Sequence, residues 1–145
     1  MRPFTPPGYH TITPYLVVPD VQGQIDFLVR AFGAIVFAPP LRGPDGVIQH
    51  AEVRIGDSVV MMGRAGAEHP ATRTMLNLYV ERADDAYRAA LAAGATSVRE
   101  PMDQFYGDRS GIVRDRFGND WCVATNIEDV APDELERRIA AMSGP

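Results

Sequence analysis

Apolar positions recur along the chain with two periods, and their alternation predicts the elements. Ile12, Leu16 and Val18 alternate with Thr11, Thr13 and Tyr15, so residues 11–18 read as a strand. Pro19-Asp20 then opens a helix with Asp20 as N-cap. Val21, Ile25, Leu28, Val29 and Phe32 share one helical face, the spacing of a helix laid on a sheet, and Gly33 ends it. Residues 34–38 read as a short strand and 39–46 as a Pro/Gly-rich loop. Residues 47–55 and 58–62 form a hairpin around Gly56-Asp57. That turn sets Glu52 opposite Met61 and Arg54 opposite Val59. One face is then Ala51, Val53, Ile55, Val60 and Met62, fit to pack on a helix. The other is His50, Glu52, Arg54, Val59 and Met61, polar enough to line a cleft.

After a linker at 63–72 the pattern repeats. Residues 75–80 set Leu76, Leu78 and Val80 against Met75, Asn77 and Tyr79. The next helix carries Ala83, Tyr87, Ala90, Leu91 and Gly94, each 62 residues after a member of the first helix face. Both helices end in Ala-x-Gly-Ala. Residues 106–121 read as a loop, a strand at 111–115, a turn at 116–119 and a last strand from about 120. Gly118 supplies positive φ and Asp115 bonds back to the turn. The expected architecture is α+β: two tandem βαβββ modules, 11–62 and 74–125, form a curved mixed sheet, a half-open barrel around a cleft. An arm (1–10) precedes the domain (11–127). The tail (128–145) carries a short helix from Pro132 with Leu135, Ile139 and Met142 on one stripe, docked on the body or a partner subunit.

Composition narrows the classes. The chain is 46% hydrophobic with net charge −5, and all 14 basic residues are arginine, scattered rather than clustered. That argues against a nucleic-acid footprint and a polybasic membrane segment. The single Cys122 excludes an internal disulfide, no apolar run reaches a membrane span, and the N-terminus is polar and proline-rich. A cytoplasmic protein is the expectation.

Alternation places Thr11, Thr13, Tyr15, His50, Glu52, Met61, Met75, Asn77, Tyr79 and Cys122 on the cleft side. His50 and Glu52, two apart on one strand, are candidate catalytic residues, because a carboxylate beside an imidazole makes an acid–base couple. The same pair also reads as a structural or ligand-positioning ion pair, or as two ligands of a displaced metal. Tyr106, Asp108 and Arg109 lie in a glycine-flanked loop, where Arg109 either clamps an anionic group or joins a local network with Asp108. Trp121 is expected to face the helices, Cys122 reads as a small buried hydrophobe, and His10 and His69 as surface residues.

Two βαβββ units closed by an Asp-x-x-Gly-Asn hairpin resemble the vicinal oxygen chelate superfamily, which includes glyoxalase I, extradiol dioxygenases, and fosfomycin- and bleomycin-resistance proteins. His50–Ser58, Tyr106–Arg109 and Asp115–Trp121, in that order, resemble its phosphonate-operon-type, or PhnB-like, branch. The resemblance implies metal ligands, usually His or Glu, at Thr13, Met61, Met75 and Cys122. None of these is His, Asp or Glu, so the family metals (Ni, Zn, Mn, Fe) lack hard donors and no metal or other cofactor is expected. It also implies a homodimer. In bleomycin-resistance members a cleft built by two subunits sequesters a cationic drug. The expectation is therefore a metal-free binder of a drug or metabolite, with Thr13, Tyr15, Met61, Met75, Asn77, Tyr79, Tyr106, Arg109 and Cys122 as ligand contacts. A lyase or isomerase using His50 and Glu52, and a non-catalytic dimeric scaffold, are the alternatives.

Overall fold

The computed structural model describes residues 1–143. In chain order its elements are β1 (Tyr15–Val18), α1 (Val21–Phe32), β2 (Ile35–Val36), β3 (Leu41–Arg42), β4 (Ile48–Ile55) and β5 (Ser58–Arg64). Then follow β6 (Met75–Tyr79), α2 (Ala83–Ala92), β7 (Thr96–Asp103), β8 (Asp108–Arg114), β9 (Asp120–Asn126) and α3 (Pro132–Met142). The first sheet runs β1-β5-β4-β2 with β3 paired to β4, and the second runs β6-β9-β8-β7. In each, the opening strand lies parallel to the last and the other pairs are antiparallel. The same order in both halves is the duplication read from the helix faces. The expected curved mixed surface is divided into two sheets, open rather than closed into a barrel.

Local chemistry explains the elements. The Asp20 side chain accepts from the Gly23 N–H (3.0 Å), and Gly33, at φ 67°, takes the left-handed conformation that ends α1. Helix α2 has no side-chain cap of its own. Thr125 supplies one from β9: its hydroxyl accepts from the Ala83 N–H (2.8 Å) and donates to the Val80 carbonyl (2.9 Å). The β4–β5 register sets Glu52 opposite Met61 and Arg54 opposite Val59, as the hairpin turn requires.

Several boundaries differ from the sequence pattern. Strand β1 begins at Tyr15, so Thr11 and Thr13 lie outside it. Pro14 cannot donate to a ladder and instead accepts from the Met61 N–H (2.9 Å). Strand β5 runs on to Arg64, and the loop at 39–46 contains β3. On α1, Val29 is exposed and Gln24 is fully buried, because a side-chain hydrogen-bond network rather than apolar contact fills that part of the face.

One apolar cluster joins the backs of both sheets through the helices. It includes Leu16, Val53 and Met62 from the first half, Leu28 of α1, Ala90 of α2, and Val113, Trp121 and Val123 from the second. Phe32 meets Trp121 at 5.4 Å between ring centroids. Beside this contact sits the buried carboxylate of Asp115. Its Oδ1 accepts from the N–H groups of Phe117 (2.9 Å) and Asn119 (3.1 Å), and its Oδ2 from Gln24 Nε2 and Trp121 Nε1, both at 3.0 Å. Asn119 donates to Gln24 Oε1 (3.2 Å) and accepts from the Thr74 N–H (3.1 Å). Gly118, at φ 89°, closes the turn with its N–H on the Asp115 carbonyl. The turn that shapes the β8–β9 hairpin thus also fastens α1 to the second half.

Helix α3 buries no residue. It is held by Arg138, which donates to the Phe105 carbonyl (2.9 Å) and to both oxygens of Glu128 (2.6 and 3.1 Å). Ile139 and Met142 stay exposed. Residues 144 and 145 of the expected tail lie outside the described residues. Among the described residues no helix is long and apolar enough to cross a membrane.

Replacing Asp115 with Ala leaves four donors without their acceptor, two of them on side chains that have no other route to water. Urea unfolding should register a loss of about 3 kcal/mol, with a weakened near-ultraviolet signal from Trp121. A loss below about 1 kcal/mol would mean that the network contributes little.

Candidate functional site

Because the backs of both sheets join one core, the faces carrying the candidate residues point away from it. On the first sheet, cross-strand pairing brings Tyr15, Met61 and Glu52 into one row and places His50 beside Gly63. Tyr15 Oη lies 3.2 Å from His50 Nδ1, with the rings 5.7 Å apart, and His50 Nε2 lies 3.5 Å from Glu52 Oε1. A carboxylate only accepts, so Nε2 carries the proton toward Glu52 and, in the neutral ring, Nδ1 accepts from Tyr15. Gly63 makes this possible: a Cβ there would stand 2.5 Å from Tyr15 Oη.

The other Glu52 oxygen is taken by a residue of the arm. Tyr9 Oη donates to Glu52 Oε2 at 2.5 Å, and its ring meets Phe37 edge-on at 5.4 Å. Burial, then the bond to Glu52, pushes the Tyr9 phenol up to about 12. The only signal in the sequence was an aromatic side chain at the end of a proline-rich arm.

On the second sheet, Asn77 pairs with Cys122, which pairs in turn with Ile112, while Met75 pairs with Asp120 and Tyr79 with Ala124. Met75, Asn77 and Tyr79 are exposed while Cys122 is buried. Asp108 is buried as well. Tyr79 Oη donates to its Oδ2 (2.8 Å) and Asn126 Nδ2 to its Oδ1 (3.0 Å). The bond to Asp108 raises the Tyr79 phenol above its ordinary value. Tyr106 is exposed in the turn that precedes β8.

Two expected contacts are placed elsewhere. Arg109 is not a loop residue: it lies in β8, its side chain on the helix-covered face. There it forms a two-pronged pair with Asp84 of α2 (2.7 and 3.0 Å) and a third bond to Asp103 (3.0 Å). Arg109 in turn holds the Asp84 carboxyl below its ordinary value. Neither an anion clamp on the open face nor a pair with Asp108 describes it, since strand alternation sends Asp108 and Arg109 to opposite faces. Thr13 is half-buried before β1, and the residue across from Met61 is Tyr15.

The four positions implied by resemblance to carry a metal therefore offer a hydroxyl, two thioethers and a buried thiol, a set that does not fit a hard divalent ion. Among the described residues no group of three or more His, Cys, Asp or Glu is placed to hold a metal. Two hollows adjoin the open faces. One, about 260 Å³, is lined by Tyr15, Val17, Gln49, Gly63, Arg64 and His69. The other, about 510 Å³, runs between the β4–β5 turn and β6 and reaches Phe32, Asn77 and Tyr79.

A family model described as the Glyoxalase/Bleomycin resistance protein/Dioxygenase superfamily matches residues 8–123. An uncharacterized protein of Mycobacterium bovis, Mb0911c, is 36% identical, with 91% of each chain covered. An uncharacterized Mycobacterium tuberculosis protein, Rv0887c, is also 36% identical, covering 91% of this chain and 82% of that protein. Among solved structures, TioX from Micromonospora sp. ML1 superposes with a TM-score of 0.69 at 29% identity, over 81% of this chain and 99% of TioX. A glyoxalase/bleomycin resistance protein/dioxygenase from Nocardioides gives 0.62 at 19% identity over 85% and 87% of the two chains, a likeness of fold.

Gly63→Ala should leave the fold and melting temperature nearly unchanged, because the Tyr15 ring can swing away. It should shift the His50 ring resonances as that contact is lost, and an unmoved His50 signal would deny the contact. The Tyr9 phenol is raised on folding from its ordinary 10 to about 12. Its contribution is thus complete below pH 10 and lost as pH rises toward 12. Thermal melts across that window should fall more steeply for the native protein than for Tyr9→Phe; parallel curves would deny the linkage.

Proposed function

The chain belongs to the glyoxalase/bleomycin resistance protein/dioxygenase superfamily, and we propose that within it the protein is a metal-free binder of small aromatic cations that works as a homodimer. The observation that carries this reading is the pairing of a carboxylate with aromatic surface on each open face. Glu52 stands among Tyr9, Tyr15 and His50, and Asp108 behind Tyr79. A carboxylate attracts a cation and a ring face holds it, while exposed Met75 and half-buried Met61 adapt to the remaining apolar outline. The hollow beside Tyr15 holds about 260 Å³, below the roughly 300–1,000 Å³ of drug-sized sites, and a second subunit would give it a further wall; the hollow at Asn77 and Tyr79, about 510 Å³, is of that size already. The three motifs at 50–58, 106–109 and 115–121 support a place in the phosphonate-operon-type branch.

A second reading draws on the Tyr15–His50–Glu52 line. An imidazole backed by a carboxylate at Nε2, and meeting only the exposed Tyr15 hydroxyl at Nδ1, can take and return a proton once that hydroxyl gives way, the equipment of a lyase or isomerase that needs no metal. Turnover abolished by His50→Ala with the fold intact would favour it over simple binding.

Calorimetric titration with bleomycin and with 2-naphthamidine should give saturable binding, weakened about tenfold or more by Glu52→Gln, the loss of one charge-assisted contact. Freshly purified protein should hold no stoichiometric metal, and Ni(II), Zn(II), Mn(II) and Fe(II) should leave its melting temperature unmoved. One tightly held metal per chain would overturn the metal-free part of the reading. A clean monomer at 15.9 kDa in sedimentation would overturn the two-walled site. A protein that saturates with no small molecule would be a scaffold.

A further inference from the structure

The N-terminal arm ends on the carboxylate that the proposed function uses. Met1 and Phe4 project into solvent, but the chain turns at Pro6-Pro7-Gly8, where the Tyr9 N–H returns to the Pro6 carbonyl (3.2 Å). Gly8, at φ 84°, lies against Phe37, which a Cβ there would approach to 3.2 Å. The Tyr9 ring then stands edge-on to Phe37, and the Arg54 guanidinium covers the Phe37 ring at 4.9 Å from its centroid. This stack, made of the arm, the segment after β2 and β4, aims the phenol at Glu52. With Tyr9 on Oε2 and His50 on Oε1, both Glu52 oxygens are engaged before any ligand arrives.

Resting on the binding role above, we propose that Tyr9 is a displaceable cover of the site: the arm holds its phenol on Glu52, and a ligand takes the carboxylate only by displacing it, which a positively charged donor does with net gain. The chemistry is an exchange. A neutral amide or hydroxyl that displaces the phenol trades one hydrogen bond to a charged oxygen for another, loses the Tyr9–Phe37 contact and gains nothing. An amidinium, guanidinium or ammonium group adds the attraction of opposite charges in a half-buried setting, and its bond to the carboxylate is the stronger of the two. A phenol, at its ordinary 10 and still more when raised to about 12, is a protonated donor over the physiological range, so the cover is not a second anion that would itself attract the ligand. Arg54, engaged over Phe37 and two residues along β4 from Glu52, adds a positive charge at the rim that a ligand must also tolerate.

The test uses the full chain and two probes of one outline, 2-naphthamidine (cationic) and 2-naphthamide (neutral). Tyr9→Phe keeps the ring and its stack on Phe37 but removes the bond to Glu52. The amidine should bind that variant about fivefold to tenfold more tightly than the native protein, the gain expected when a site covered most of the time is left open, while the amide changes less than twofold. Weaker binding of both probes would make Tyr9 an ordinary wall of the site, and unchanged binding of the amidine would remove the arm from the site altogether. Either result overturns the proposal. Hydrogen exchange at the Tyr9 amide, without any probe, gives an independent measure. Protection should be present in the native protein and lost in both Tyr9→Phe and Glu52→Gln. If neither probe binds any of the three proteins, the binding role is what has failed. The exchange result then decides the cover alone: loss in both variants supports it and equal protection in all three overturns it.

Discussion

Four hydrogen bonds to one buried carboxylate hold this molecule in its shape. Burying a charge costs several kcal/mol unless donors replace the lost water, and Asp115 meets that cost by drawing on both halves of the chain. Two of its partners are backbone groups of the turn that starts β9, so the register of β8 on β9 depends on it. A third, Trp121, fixes which side of β9 faces the core and hence sends Asp120 and Cys122 to the open face. The fourth, Gln24, brings α1 against the second half. Gln24 and Asn119 complete one another, so no member of the group is left half-satisfied.

The surface electrostatics follow from this acidic chain having no lysine. Its arginines are largely committed to particular carboxylates: Arg109 to Asp84, Arg114 to Asp120, Arg116 to Asp20, and Arg138 to Glu128. The planar guanidinium suits such two-pronged pairing better than an ammonium would. The pairs line rims, helix ends and the tail, each contributing little to stability by itself. Glu52 and Asp108 are treated differently. Each is bonded by a tyrosine hydroxyl rather than by arginine.

Much of the architecture was legible because it rests on periodicity. The helix faces at Ile25 and Tyr87, 62 residues apart, and the hairpin at Gly56-Asp57 fix the duplication and the Glu52–Met61 register without reference to distant contacts. What escaped the sequence depends on contacts between remote residues. Gln24 is polar at a core position only because Asp115 and Asn119 arrive there from more than 90 residues away. Arg109 looked free in a loop because its partner Asp84 belongs to a different element. Of the site, Tyr15, His50, Glu52 and Met61 were legible as one face from alternation alone. Tyr9 was not, since an arm carries no period that says where it returns. Thr13 was misplaced for a simpler reason: the strand's apolar alternation runs through Pro14, but its pairing does not.

The join made by Gln24, Asp115 and Asn119 also bears on how such a chain can change over time. Two copies of one ancestral half begin as interchangeable units, each able to pair with any other. Here they differ: Gln24 stands in the first, and Asp115 and Asn119 stand in the second. Each half now lacks what the other provides, and a chain that lost or exchanged one of them would expose the unmet polar groups of the survivor. Two parts alike in topology thus hold together as a single part.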